Sequence, residues 1–188
     1  MSHFFVKRLY SASTSRSPLI MFMTSESPTA PQQPYNSSLV KKHMARIAAV
    51  QCIYASLMDA TTPLPTLIAL QLEQKGEDAW LPKIPDKKLL QGIVLGTHEM
   101  HKALNARLAE SLGERWTGTR MPLVMRALLL CALYEALYTP ALRPIIIIDE
   151  YVGVADVFLD DPDIGFVHGV LHELMHSLRP KDMPQASL

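Results

Sequence analysis

Apolar residues recur at intervals of three and four along this chain from Val40 onwards, which is the spacing of one buried face of an α-helix. In the first helix this stripe comprises Ile47, Val50, Tyr54 and Leu57. Threonines and prolines over residues 61–65 end the pattern, because proline cannot continue a helix. We predict a second, short helix over residues 65–74 and a loop from Gly76 to Pro85.

A longer helical pattern follows, and single residues mark both of its ends. Asp86 is expected to cap the first turn, because a carboxylate at that position accepts a backbone N–H. The pattern runs to about Leu112, where Gly113 is expected to stop the helix. Its length leaves room for a break near Gly96.

The fourth helix is predicted to begin around residues 121–122, where a proline in the first turn costs nothing, and to end before Pro140. Four consecutive isoleucines, Ile145 to Ile148, are typical of a buried strand. However, no partner strand is evident elsewhere in the sequence, and an unpaired strand would leave its backbone polar groups unsatisfied. We therefore predict a helix that begins after Pro144.

The last helix is expected after a turn over residues 160–163 and ends at Arg179 and Pro180. Its inward-facing positions are Val167, Val170, Leu171, Leu174 and Leu178. The sum is six or seven helices without a sheet, which predicts an all-α, compact helical bundle. This domain is expected over residues 40–180, with a short C-terminal tail over residues 181–188.

Residues 1–39 are rich in serine, threonine and proline and show no periodicity, which predicts a disordered N-terminal extension. Lys7, Arg8 and Arg16 precede the first acidic residue, Glu26. A basic, serine-rich and acid-poor start is also typical of an organelle transit peptide. Three interpretations stay open: a transit peptide, a tail without function, and translation that begins at a later methionine.

Composition and charge restrict the function. The chain is 48% hydrophobic and 19% charged, which suits a globular core, and no apolar run is long enough to span a membrane. The net charge is zero, which argues against a protein that holds nucleic acid alone through its phosphates. Cys52 and Cys131 lie in apolar helical patterns, which predicts buried free thiols in a reducing compartment.

Residues His172 to His176 read H-E-L-M-H and match the H-E-x-x-H pattern of zinc hydrolases. A catalytic zinc needs three protein ligands, and His168 lies on the same helix. At about 1.5 Å per residue, His168 and His176 would stand roughly 12 Å apart along the axis, so the histidines cannot converge on one ion. They also face away from the apolar stripe. We expect a solvated face with no metal, cofactor or catalysis; a zinc metallohydrolase is the alternative.

Four segments carry recognisable motifs. Residues 45–54 read A-R-I-A-A-V-Q-C-I-Y, and Trp116 is followed by residues 120–135, R-M-P-L-V-M-R-A-L-L-L-C-A-L-Y-E. Residues 144–158 contain I-D-E and end in phenylalanine, and residues 166–171 read F-V-H-G-V-L. In this order and spacing the segments resemble the NusB family of transcription antitermination factors.

The resemblance implies two packed helical subdomains and a cytoplasmic protein without catalytic activity. It implies binding of boxA, a short single-stranded leader RNA, together with the ribosomal protein NusE. Such a protein acts in the RNA polymerase antitermination complex and promotes read-through, mainly in rRNA operons. A further alternative is a stand-alone rRNA-binding module related to the domain that precedes some rRNA cytosine methyltransferases.

The resemblance also implies roles for individual residues. The family meets RNA at the basic start of its first helix, which here comprises Lys41, Lys42, His43 and Arg46. Lys42 and Arg46 are one turn apart and are expected on one face. Family aromatics near the RNA are matched by Phe158 and Phe166, and partner contacts by Tyr54 and Met125. The alternative for each is structural: a solvated helix start for the basic residues and core packing for the others.

Several family positions differ here. Met125 stands where the family has an acidic residue, and both Asp149 and His168 replace asparagines. The loop next to the inferred RNA surface carries acidic residues at 160, 161 and 163, which would repel phosphate. We therefore expect either low RNA affinity in the absence of the ribosomal protein or an RNA specificity that differs from that of the family.

Overall fold

The computed structural model describes residues 37–73, 84–113 and 121–183. Within these ranges it contains seven α-helices, a short 3-10 helix and no strand, which confirms the predicted all-α fold. The elements are α1 (Ser37–Met58), α2 (Leu64–Leu72), α3 (Lys87–Glu99), α4 (His101–Leu112), α5 (Leu123–Tyr138), α6 (Pro144–Phe158), α7 (Asp161–Leu178) and the 3-10 helix Pro180–Asp182. Most of the predicted extension and of the loop from Gly76 lies outside the described residues.

Single residues set the ends of α3 and α4. The Asp86 carboxylate accepts a backbone N–H of the first turn of α3 at 2.9 Å, as predicted. Gly113 ends α4 with a φ of 52°, in the left-handed region that glycine favours. The break between the two helices falls at Met100, with φ −90° and ψ 7°, rather than near Gly96. Gly96 stays helical, and its missing side chain makes room for the Tyr134 ring.

The isoleucine run forms the first turns of α6. Pro144 lies in the first turn, where its missing N–H is not needed. Ile147 and Ile148 are buried, whereas Ile146 is exposed. One inward face and one outward face are the pattern of a helix, so the helix prediction is confirmed.

The start of α7 differs from the prediction of a turn over residues 160–163. Asp160 is the N-cap, and the helix itself begins at Asp161. Pro162 is tolerated in the first turn, and the carboxylates of Asp161 and Asp163 suit the positive end of the helix dipole. These acidic residues therefore belong to a helix start and not to a loop.

Helix α5 lies at the centre of the bundle. It is apolar on nearly all sides, and most of its residues are buried, as expected for a helix surrounded by others. It contacts α1, α3, α4, α6 and α7. Helices α1, α2 and α3 pack on one another, as do α6 and α7, so two groups of helices meet at α5. No described helix has the length and apolar character needed to cross a membrane.

Candidate nucleic-acid interface

The first turns of α1 present basic residues on the surface. Lys41 and Lys42 are exposed, and His43 is half-buried. The Lys41 carbonyl accepts the backbone N–H of Asp86 at 2.9 Å, which ties the start of α3 to the start of α1. As a result, Lys42 and Lys88 line the same groove although they are far apart in sequence.

Arg46 differs from its basic neighbours because it is only 4% exposed. Its Nε and Nη2 atoms donate to the two Glu135 carboxylate oxygens at 2.7 and 3.0 Å, and its Nη1 donates to Glu150 at 3.1 Å. Burial lowers the pKa of Arg46, but the hydrogen bond and charge of Glu135 raise it more, so the guanidinium stays charged. The expected direct contact of Arg46 with RNA is therefore replaced by a buried ion pair that positions α1 against α5.

His43 and Glu150 connect α1 with α6. The His43 Nδ1 atom lies 3.0 Å from a Glu150 carboxylate oxygen, which also accepts from Arg46. Burial raises the pKa of Glu150, but the His43 hydrogen bond and the Arg46 charge lower it below its ordinary value. A Cβ atom at Gly153 would lie 3.2 Å from the His43 ring, so this glycine makes room for the imidazole.

A groove of about 510 Å³ lies between α1, α3 and α5. Lys42 and Lys88 line it, and both are exposed. Gly92 and the half-buried Tyr134 contribute further parts of the wall. Arg46 also lines the groove, so it shares a face with Lys42 as expected, although its guanidinium is occupied by carboxylates.

The aromatic residues that match ligand-contacting positions of the resembled family are all partly buried. Phe158, Phe166 and Tyr54 are half-buried and pack against the hydrophobic core, so each ring leaves only part of its surface for a ligand. Met125 is 3% exposed and belongs to the core itself. The expected partner contact of Met125 is therefore replaced by packing, because its side chain offers no surface in the free protein.

The histidines of α7 lie on the exposed face of that helix. His168, His172 and His176 are exposed, with ring centroids 6.1 Å apart for the first pair and 4.6 Å for the second. The opposite face, with Val167 and Leu171, is buried. Among the described residues, no three histidine, cysteine or acidic side chains are grouped so that they could hold a metal ion. The residues of the H-E-x-x-H segment that could bind a metal, His172, Glu173 and His176, lie on the exposed side of α7.

The acidic partners of Arg46 and two residues of the groove, Lys88 and Tyr134, are not predicted by the sequence pattern. One signal was present: Glu135 follows an apolar run over residues 127–134, and a carboxylate is retained in such a setting only with a partner. No comparable signal marks Lys88 and Tyr134. They reach the groove through the packing of α3 and α5.

The sequence is similar to a protein-family model and to proteins of known name. The sequence model described as the NusB family matches residues 43–176. The transcription antitermination protein NusB of Sphingopyxis alaskensis is 30% identical over 155 residues, covering 78% of this chain and 99% of that protein. NusB of Hyphomonas neptunium is 28% identical over 150 residues, covering 79% and 97%.

Solved structures share the helical arrangement. NusB of T. maritima superposes with a TM-score of 0.62 at 20% identity, covering 74% of this chain and 94% of that one. A chain from a crystal structure of the antitermination factors NusB and NusE in complex with dsRNA gives a TM-score of 0.59 at 16% identity, covering 73% and 97%. These likenesses concern the order and packing of the helices.

Proposed function

This chain belongs to the NusB family, and on that premise we propose that it is a transcription antitermination factor that binds RNA together with a ribosomal protein of the NusE type. Its curated relatives carry the name transcription antitermination protein. The specific ligand proposed is a boxA-type single-stranded leader RNA of rRNA operons. The protein acts without catalysis, in the cytoplasm, within the RNA polymerase antitermination complex.

The observation that carries the RNA role is the exposed basic start of α1. Lys41 and Lys42 project from a helix whose position is fixed by the buried Arg46–Glu135 pair and by the backbone bond to Asp86. Because the helix backbone is already ordered, binding of phosphates restricts only the lysine side chains. Because the whole chain has zero net charge, this local edge needs affinity from a partner protein.

We assign roles to the remaining residues on the same basis. His43 lies next to the two lysines, and we assign it to the same RNA-binding edge. Phe158 and Phe166 offer the exposed parts of their rings to unpaired bases, since stacking on aromatics is the usual way of holding them. Tyr54 is the proposed contact with the ribosomal protein, and Met125 supports the packing of α5.

The test is a fluorescence anisotropy titration of a boxA-like oligoribonucleotide, with and without the NusE-type protein. We expect tighter binding when both proteins are present. The double substitution Lys41→Glu and Lys42→Glu should weaken binding and reduce the dependence of log K on log salt by about 0.7 for each phosphate that is no longer neutralised. The thermal unfolding of the variant should stay close to that of the wild type, because both lysines are exposed.

Lys102→Glu is the matched control, because Lys102 is an exposed lysine of α4, away from the groove. It makes the same charge change at one site and should leave the salt dependence unchanged. Absence of RNA binding in every combination at low salt would falsify the RNA role. If the control lost about half as much binding free energy as the double variant, which makes this charge change at two sites, total charge and not the start of α1 would determine the affinity.

A further inference from the structure

We propose that the groove between α1, α3 and α5 holds one unpaired base of the bound RNA, with Gly92 as its floor and Tyr134 as its wall. Lys42 and Lys88 at its rim take the flanking phosphates. This proposal rests on the proposed RNA-binding function and adds a defined position for one nucleotide. Lys88, Gly92 and Tyr134 thereby become ligand contacts.

The floor of the groove is the backbone of α3 at Gly92, which no side chain covers. A Cβ atom built on Gly92 meets no other atom within 4 Å, so space for a ligand begins at the helix backbone itself. The apolar side chains of Leu89 and Ile93 lie beside it in the lining. A flat surface bordered by apolar groups suits the face of an aromatic ring.

The protein itself shows which kind of group fits this side of α3. One turn after Gly92, the ring of Tyr134 occupies the space where Gly96 would carry a Cβ atom. Tyr134 also stacks on Tyr138, with ring centroids 5.2 Å apart, which restrains its orientation. The space above Gly92 is thus the next position along the same helix face, and a second flat ring is the group that it accommodates.

Charge selects a nucleotide over a neutral aromatic side chain. Lys42 and Lys88 form no ion pair with any described residue, so both ammonium groups are available to a ligand. Among the lining residues, Arg46 neutralises Glu135, whereas Asp86 accepts a backbone N–H of α3 and keeps its negative charge. With Lys42 and Lys88, the lining carries a net charge of +1. The rim is therefore cationic. A nucleotide places its aromatic base on the apolar floor and its flanking phosphates next to Lys42 and Lys88.

The decisive test combines a substitution in the protein with a change in the RNA. Gly92→Leu fills the proposed base position, and its Cβ atom would have no other atom within 4 Å. The RNA is a boxA-like oligonucleotide in which each base in turn is replaced by an abasic site. With the wild-type protein, abasic sites at the bases that stack on Phe158 and Phe166 should weaken binding, and so should one further abasic position, that of the base in the groove, by roughly 5- to 150-fold, the range for one base stacked on an aromatic ring.

With Gly92→Leu, intact RNA should bind more weakly, and the same abasic position should show a much smaller penalty. Ala106→Leu, which adds similar bulk to the exposed face of α4, should leave both measurements as in the wild type. Lys88→Gln should weaken all oligonucleotides similarly, because it removes a phosphate contact and no base contact. Unfolding experiments on Gly92→Leu should show a native protein.

Three outcomes would overturn the base-binding groove while the RNA role itself stands. One is an unchanged abasic penalty in Gly92→Leu. Another is RNA binding by Gly92→Leu equal to that by Ala106→Leu. The third is that Gly92→Leu reduces binding of the NusE-type protein in the absence of RNA, which would make the groove a protein contact. Failure of the wild-type protein to bind any RNA would instead contradict the proposed function.

Discussion

Arg46 and Glu135 show how a single pair of residues fixes the start of α1. Both are buried, and two parallel hydrogen bonds join them across α1 and α5. The attraction within a buried ion pair roughly offsets the cost of removing both charges from water, so the pair adds little net stability. Removal of one partner is costly because the other charge stays buried without compensation.

We therefore expect Arg46→Met to lower the free energy of unfolding by about 3–5 kcal/mol, as measured by urea denaturation. Adding Glu135→Leu to this variant should restore most of the stability, because the fully buried charge is removed and Glu150, the other acceptor of Arg46, is partly exposed and keeps its contact with His43. Arg107→Met is the control: it breaks an exposed ion pair with Glu110 and should cost at most about 1 kcal/mol. A double variant as unstable as the single one would contradict this account.

Glu150 makes the stability depend on pH in the acidic range. The folded-state pKa of Glu150 lies below its ordinary value of 4.5 because the effects of His43 and Arg46 exceed that of burial. The unfolded chain therefore binds this proton first as the pH falls. The stabilising contribution of Glu150 is fully present above its unfolded pKa and is lost as the pH falls through the folded pKa.

Glu150→Gln should accordingly flatten the plot of unfolding free energy against pH below about 4.5. The measurement is urea denaturation at a series of pH values on both sides of that point. Asp149→Asn changes an exposed neighbour on the same helix and should retain the wild-type slope. The explanation fails if the two variants lose the same amount of pH dependence.

At the scale of a helix, α3 carries two glycines one turn apart with opposite surroundings. A Cβ atom on Gly96 would overlap the Tyr134 ring, whereas a Cβ atom on Gly92 meets nothing within 4 Å. Gly96 is required for the close approach of α5, and Gly92 leaves the groove open. Glycine thus leaves the surface of α3 open at Gly92 and allows close packing of Tyr134 one turn later at Gly96.

Gly96→Ala should destabilise the protein by about 1–3 kcal/mol, the usual cost of overpacking. Gly92→Ala should instead stabilise it by up to about 1 kcal/mol, because alanine favours the helix more than glycine does. Thermal unfolding of the two variants under identical conditions provides the comparison. Shifts of the same sign would show that Tyr134 does not pack on α3 in solution as described.

At the scale of the whole molecule, the two cysteines report on the integrity of the core. Cys52 in α1 and Cys131 in α5 are free and buried. Burial raises the pKa of Cys52 to about 12 and also raises the pKa of Cys131. The thiolate is the reactive species, so neither side chain is available for reaction in the folded bundle at neutral pH.

Iodoacetamide labelling at neutral pH should therefore be very slow for both thiols in native protein. The rates should rise together with urea concentration and follow global unfolding, because α1 and α5 belong to one core. Mass spectrometry of each cysteine peptide measures this directly. Rapid labelling of Cys52 alone would indicate that α1 separates from α5 before the rest unfolds.

Much of this fold was predictable from the sequence because helical periodicity, caps and stop signals are local. The stripes of apolar residues, Asp86 as a cap and Gly113 as a stop predicted the helices well. The run beginning at Ile145 favours a helix because the sequence offers no second strand to pair with it. The boundary at Met100 was missed, since no cap or proline marks it.

The sequence by itself determined the all-α class, most helix positions and the family, because these depend on local pattern and on the order of motifs. Only the tertiary structure decided that Arg46 and Met125 are buried, and that Lys42, Lys88 and Tyr134 line one groove. The pattern along one helix gives its apolar face but not which neighbour covers a given side chain. Contacts between distant segments depend on how all the helices pack together.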